Sequence, residues 1–184
     1  MPDRAKFWSP VPDWPRARLE QDGLGIVASF AEAAWLVSGD LPAFLHRNGG
    51  LACIGPREIC AAVPYALRLA PDRLLFVQRG GGGVANSSFG WSDEGLAITD
   101  VSDGYVLFDI TGSAASKLMA LGAAYDFEGK PAGIAESASM LFAGLKTAVA
   151  RMPSGWRLHV ERPYATAMWQ WLQHAAQEWA KPPA

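Results

Sequence analysis

The chain has 184 residues, half of them hydrophobic and only 18% charged, with 16 Lys+Arg against 18 Asp+Glu. That length suits one domain, or two small lobes sharing a core, and the balanced charge excludes disorder, the basic surplus of a nucleic-acid binder and an acidic tail. Low charge together with eight Trp favours a chain with a buried partner surface, because interface cores are poor in charge and rich in Trp and Tyr.

The first 20 residues hold Pro2, Pro10, Pro12 and Pro15 and cannot form a long helix, so they read as an extended arm. Trp8 and Trp14 within it need cover, either from this chain or from a neighbour. No apolar run followed by a small-residue cleavage site begins the sequence. Its most apolar stretch, Leu24 to Val37, is broken by Glu32 and is shorter than the roughly 20 residues a membrane span needs. The expectation is a cytoplasmic protein without membrane contact. Cys53 and Cys60 match neither a Cys-x-x-Cys pair nor a common zinc spacing and are expected as free thiols.

Leu24 to Val37 is strand-like with a possible reversal near Ala31-Glu32, and Asp40 with Pro42 then opens a short helix through His46 that Asn48-Gly49-Gly50 ends. Ala66–Leu69 and Arg73–Gln78 form a hairpin across Ala70-Pro71-Asp72. A glycine-rich loop follows at 79–91. Leu96–Thr99 and Tyr105–Ile110 resume strand character. Thr111-Gly112-Ser113 is expected to cap a helix with Ala115, Leu118, Met119 and Leu121 on one face, stopping at Gly122. After a loop from Tyr125 to Ser137, Leu145–Ala150 and Trp156–Glu161 pair across Met152-Pro153-Ser154-Gly155.

The last helix starts at Pro163, and Tyr164, Met168, Trp171, Leu172, Ala175 and Trp179 share a stripe about 100° wide. Trp169 lies about 100° from that stripe's centre, beside Ala165 and Ala176. These three residues are the candidate partner interface; the other reading packs Trp169 under the arm or a loop of its own chain. The segments 37–39, helix, hairpin at Pro71 and 110–112, helix, hairpin at Pro153 repeat one another. The fold class is therefore α+β, two pseudo-repeated β-α-β-β lobes at about 24–78 and 95–180 with antiparallel sheets and helices on one side. Residues 21–184 form a single domain after the arm at 1–20.

No catalytic or metal site emerges. Gly80-x-Gly82-x-x-Ala85 lacks the helix that a dinucleotide fingerprint needs at its glycines. His46, His159 and His174 have no partner at metal-ligand spacing, and His159, in a strand, reads as a surface or hydrogen-bonded histidine. Asp100, Asp103 and Asp109 bracket a strand, with Asp103 and Asp109 on the side of Tyr105 and Leu107. Turn capping explains Asp100 and Asp103 more simply than acid-base or folate chemistry.

The stretch Thr99-Asp100-Val101-Ser102-Asp103-Gly104-Tyr105 through Asp109-Ile110-Thr111-Gly112-Ser113 to Lys117-Leu118, closing at Ala124-Tyr125-Asp126-Phe127, resembles the gamma subunit of heterotetrameric sarcosine oxidase. Gly155-Trp156-Arg157-Leu158-His159-Val160, Arg162-Pro163-Tyr164-Ala165 and Trp169-Gln170-Trp171-Leu172 look like that family's terminal strand and helix. Ala66 to Leu75 looks like its central hairpin, with Arg73 and Leu74 standing where the family continues with acidic and aromatic residues. The resemblance covers roughly residues 24–178 and extends to the glycine-cleavage T-protein, hence to an aminomethyltransferase-like, folate-binding type of fold. It implies an accessory, non-catalytic subunit beside alpha, beta and delta chains. FAD, FMN, NAD and tetrahydrofolate would sit on those partners, and the complex would oxidatively demethylate an N-methyl amino acid and pass the one-carbon unit to tetrahydrofolate. The alternative it leaves is a stand-alone, T-protein-like folate binder, with Asp100 and Ser102 as the folate candidates.

Overall fold

A computed structural model describes residues 11–31, 33–60, 63–78, 90–92, 95–130 and 136–179. Trp8 and the glycine run at 79–89 lie outside the described residues. The elements in chain order are β1 (Arg18–Gln21), β2 (Leu24–Phe30), β3 (Ala33–Gly39), α1 (Leu41–Arg47), β4 (Cys53–Ile54), β5 (Tyr65–Ala70), β6 (Arg73–Gln78), β7 (Gly90–Trp91), β8 (Leu96–Asp100), β9 (Tyr105–Thr111), α2 (Ala115–Gly122), β10 (Ser139–Phe142), β11 (Leu145–Met152), β12 (Gly155–Glu161) and α3 (Arg162–Trp179). A turn of 3-10 helix, Trp14–Arg16, precedes β1.

The strands make two six-stranded sheets, ordered β10-β11-β12-β9-β2-β1 and β4-β5-β6-β3-β8-β7. Among the described strands the pairings are antiparallel except the short β4-β5 contact, and an isolated parallel bridge joins Ile59 to Arg151. Written this way the two orders correspond position by position, with β3-α1-β5-β6 of one sheet opposite β9-α2-β11-β12 of the other. The expected lobe boundaries do not hold. Residues 24–30 pair with β9, and Leu96–Asp100 pairs with β3, so each half gives its leading hairpin to the other half's sheet. The apolar run through Ala31 is thus a crossing between sheets and not a hairpin.

Glycine is required where each central strand turns into its helix. Gly39 has φ +109 and a Cβ there would strike the carbonyl of Gly95; Gly112 has φ +98 and would strike that of Gly23. Both obstructing carbonyls accept from the chain entering the helix, Gly95 from the Asp40 N–H at 3.3 Å and Gly23 from the Ala114 N–H at 2.8 Å. Asp40 caps α1 as expected, accepting from the Ala43 N–H at 3.1 Å. At α2 the expected cap is absent: the N-cap is Ala114, and Thr111 instead donates its hydroxyl to Gly25 O.

The layers run helix, sheet, sheet, helix. α2 and α3 cover the outer face of the β9 sheet over Ile26, Val106, Phe108, Ile110, Trp156, Leu158 and Val160. α1 sets Leu41, Phe44 and Leu45 on Trp35, Val37, Leu74 and Phe76. A third cluster, with Ala34, Tyr65, Leu67, Leu75, Val77, Leu107, Ala148 and Ala150, fills the space between the sheets. Backbone bonds also join them there, from Ala138 N–H to Arg68 O at 2.7 Å and from Cys60 N–H to Arg151 O at 2.7 Å.

α3 is rotated from its expected phase. Ala165, Met168, Trp169, Leu172 and Ala176 form its buried face, whereas Tyr164 is 47% exposed. Trp169 stacks on Phe108 at 6.0 Å between centroids, and Trp14 meets the same ring edge-on at 5.8 Å. Trp169, Ala165 and Ala176 therefore are not a partner surface. The two alanines let the helix backbone approach the sheet, and the indole fills the volume beside them. Of the face expected on α2, Leu121 is exposed.

Candidate functional site between the sheets

Side chains alternate along β9 and β12, so odd-numbered residues point toward the second sheet. Asp109 and Arg157, directly paired across the ladder, form a two-pronged ion pair with Nε–Oδ1 at 2.6 Å and Nη2–Oδ2 at 2.7 Å. From there a chain of polar groups runs inward. Arg157 Nη1 lies 3.5 Å from the Tyr65 hydroxyl, Tyr65 lies 2.8 Å from His159 Nε2, and His159 Nδ1 lies 3.2 Å from the carbonyl of Ala148.

Elementary valence orients every proton. A carbonyl only accepts, so Nδ1 carries the imidazole proton; Nε2 then accepts from the Tyr65 hydroxyl, whose oxygen accepts from the guanidinium. Burial, reinforced by the Arg157 charge, pushes His159 down to about 3. Burial pushes Tyr65 up to about 12 against the opposing pull of Arg157. Hydrogen bonding to Asp109 raises Arg157 further above its already high range. At neutral pH His159 is therefore neutral, Tyr65 keeps its proton and Arg157 stays charged against Asp109. What the arrangement does is pin β5 of one sheet to β9, β11 and β12 of the other.

Beside His159 the two sheets leave a cavity of about 160 Å³, lined by Leu36, Leu69, Ala70 and Arg73 from one and Tyr105, Ser139, Lys146, Thr147, Ala148, His159 and Glu161 from the other. Sites for drug-sized ligands span about 300–1,000 Å³.

Asp100, the last residue of β8, and Ser102, in the turn that follows, line no part of that cavity. The Asp100 carboxylate accepts from the Ser102 N–H at 2.9 Å and its hydroxyl at 2.6 Å, contacts that hold its pKa below the usual range. Ser102 Oγ in turn accepts from the Ala34 N–H at 3.0 Å, tying the turn to β3. Asp109 does share its side with Leu107 and Tyr105. His159 is hydrogen-bonded and buried, not at the surface. His46 and His174 are exposed, and Cys53 and Cys60 are buried and form no disulfide. Among the described residues no group of His, Cys, Asp and Glu is placed to hold a metal ion, and no helix is long and apolar enough to cross a membrane. Arg157 and Tyr65 had escaped the sequence reading because they meet across 92 positions; the in-facing Arg opposite an in-facing Asp in neighbouring strands was the available signal.

These features define a two-sheet α+β chain whose inner polar chain of Asp109, Arg157, Tyr65 and His159 joins the sheets. The model of the sarcosine oxidase gamma subunit family matches residues 41–178, and the chain belongs to that family. Its fold is similar to that of a chain in the heterotetrameric sarcosine oxidase from Corynebacterium sp. U-96, a structure in complex with pyrrole 2-carboxylate. The TM-score is 0.70 over 93% of each chain at 16% identity, a likeness of fold alone. Comparison with curated protein sequences gives no match.

Proposed function

We propose that this chain is the accessory, non-catalytic gamma subunit of a sarcosine-oxidase-like heterotetramer, bound to alpha, beta and delta chains in the cytoplasm. FAD, FMN, NAD and tetrahydrofolate belong, on this reading, to those partners, which demethylate an N-methyl amino acid and pass the one-carbon unit on. The family match over residues 41–178 carries the proposal. The inner polar network agrees with it, since groups locked neutral or ion-paired are suited to holding a scaffold. The matching strand orders and the paired glycines 39 and 112 support a duplicated unit of T-protein type behind the two sheets. A stand-alone folate binder is the weaker reading, because its candidates Asp100 and Ser102 are bonded to one another and line no part of the space between the sheets.

Expression of the full chain with its prospective partners tests this. A yellow complex should co-purify in fixed stoichiometry, while the chain alone is colourless and does not oxidise N-methylglycine. Failure to bring down flavin-bearing chains, or flavin held by the isolated chain, overturns the assignment.

A further inference from the structure

We propose that the cavity between the sheets is a binding site for a small carboxylate, of the size of a short α-amino acid. The inference is independent of how the chain assembles. An apolar cavity of about 150 Å³ is known to hold benzene, with six heavy atoms; the 160 Å³ here suits a ligand of similar size.

Charge selects within that size. The cleft opens to solvent, and its lining carries two exposed cations, Arg73 and Lys146, against one half-buried carboxylate, Glu161. An isolated metal cation would face a net positive site, and a dianionic phosphate would meet Glu161. A monocarboxylate satisfies the cations, and a ligand ammonium adds a partner for Glu161. Arg73 donates Nε to Ser38 Oγ at 3.2 Å, which leaves its two terminal amino groups available. His159 is committed on both nitrogens and Thr147 donates to Leu145 O, so neither competes for the ligand. The Tyr105 ring stands beside Glu161 on the adjoining strand, where the two are paired in register. Leu36, Leu69 and Ala70 form the apolar wall on which a short side chain would rest.

The contributors come from β3, β5 and β6 of one sheet and β9 to β12 of the other. Occupancy would therefore bridge the sheets and stabilise their contact by mass action.

Titration of the full chain with L-alanine and with propionate, followed by calorimetry or ligand-detected NMR, tests the site. L-alanine should bind saturably and raise the melting temperature. Arg73→Gln and Lys146→Gln should each weaken both ligands about tenfold or more, the loss associated with a charged hydrogen-bond partner. Glu161→Gln should weaken L-alanine while sparing propionate. Ala70→Leu, which fills the cavity from its apolar wall, should abolish binding with the circular dichroism spectrum unchanged. Absence of saturable binding overturns the proposal. So does binding that survives Ala70→Leu or both charge substitutions, and so does saturable binding of tetrahydrofolate displaced by L-alanine.

Discussion

β9 and β12 present two faces of opposite chemistry from the same fourteen or so positions. Outward they show Val106, Phe108, Ile110, Trp156, Leu158 and Val160, all buried under α2 and α3. Inward they show Asp109, Arg157 and His159, joined through Tyr65 to the second sheet. The outer face follows the area rule: each fully buried large side chain contributes about 1.5–3 kcal/mol, and shape decides little beyond fit. The inner face adds little net energy per contact, but it tolerates only one registration of the two sheets, since any slip leaves a buried donor or acceptor unpaired. One strand pair thus divides stability and specificity between its two sides.

Trp169→Ala probes the outer face and should have the largest effect. It empties the space over Phe108 and should lower the unfolding free energy by about 3–5 kcal/mol in urea denaturation of the full chain. A loss below about 1 kcal/mol would contradict burial of this indole in the chain's own core. On the inner face, Arg157→Gln leaves Asp109 without its cation and the Tyr65 oxygen without its donor, and should cost about 2–3 kcal/mol. Adding Asp109→Asn should return part of that, and a double-mutant cycle with no coupling would dissolve the proposed pair.

A pH experiment separates the faces without disturbing packing. His159 stays neutral in the folded protein down to about 3, against 6.5 when unfolded. Between those values the unfolded chain binds the extra proton, so stability falls as pH falls, by about 1.4 kcal/mol per unit well below pH 6.5. At pH 5 the wild type should have lost about 2 kcal/mol more than His159→Gln, both measured relative to pH 7. Parallel curves for the two proteins would show that the imidazole is not held neutral. The smallest change is expected for Asp100→Ala, about 0.5–1 kcal/mol from the lost turn contacts. Binding of L-alanine should be unaffected, because Asp100 lies outside the cavity; weakened binding would place the turn in the site after all.

Local signals carried most of the elements. Pro71 and Pro153 marked both hairpins, and Asp40 with Pro42 marked α1, because turn and cap chemistry acts within four residues. Strands of two to four residues, β4, β7 and β10, hold too few residues for alternation to show. Which sheet a strand joins was not legible either: Ala31 carries no mark that distinguishes a crossing from a reversal, and the partner strand lies far along the chain. On α3 the weight of Tyr164 and Trp171 drew the apolar stripe to the wrong side. The small residues Ala165 and Ala176 decide the phase through close approach, which hydrophobicity alone does not register. The inner network depends on Tyr65 and His159, 94 positions apart, and periodicity reports only that each points inward.

The exchange of leading hairpins bears on how the protein comes into being. Gly25 and Thr111, 86 positions apart, are neighbours in the finished sheet, and α3, which covers that sheet, lies further along the chain still. At about 5–20 residues per second on the ribosome, β2 waits roughly 4 to 17 seconds for its central partner to be synthesised. During that interval Ile26 and Ala28 have no sheet to join. β1 and β2 therefore wait for β9 and α3 to be synthesised before they reach their native place, and that wait is the interval in which nascent chains most need protection from one another.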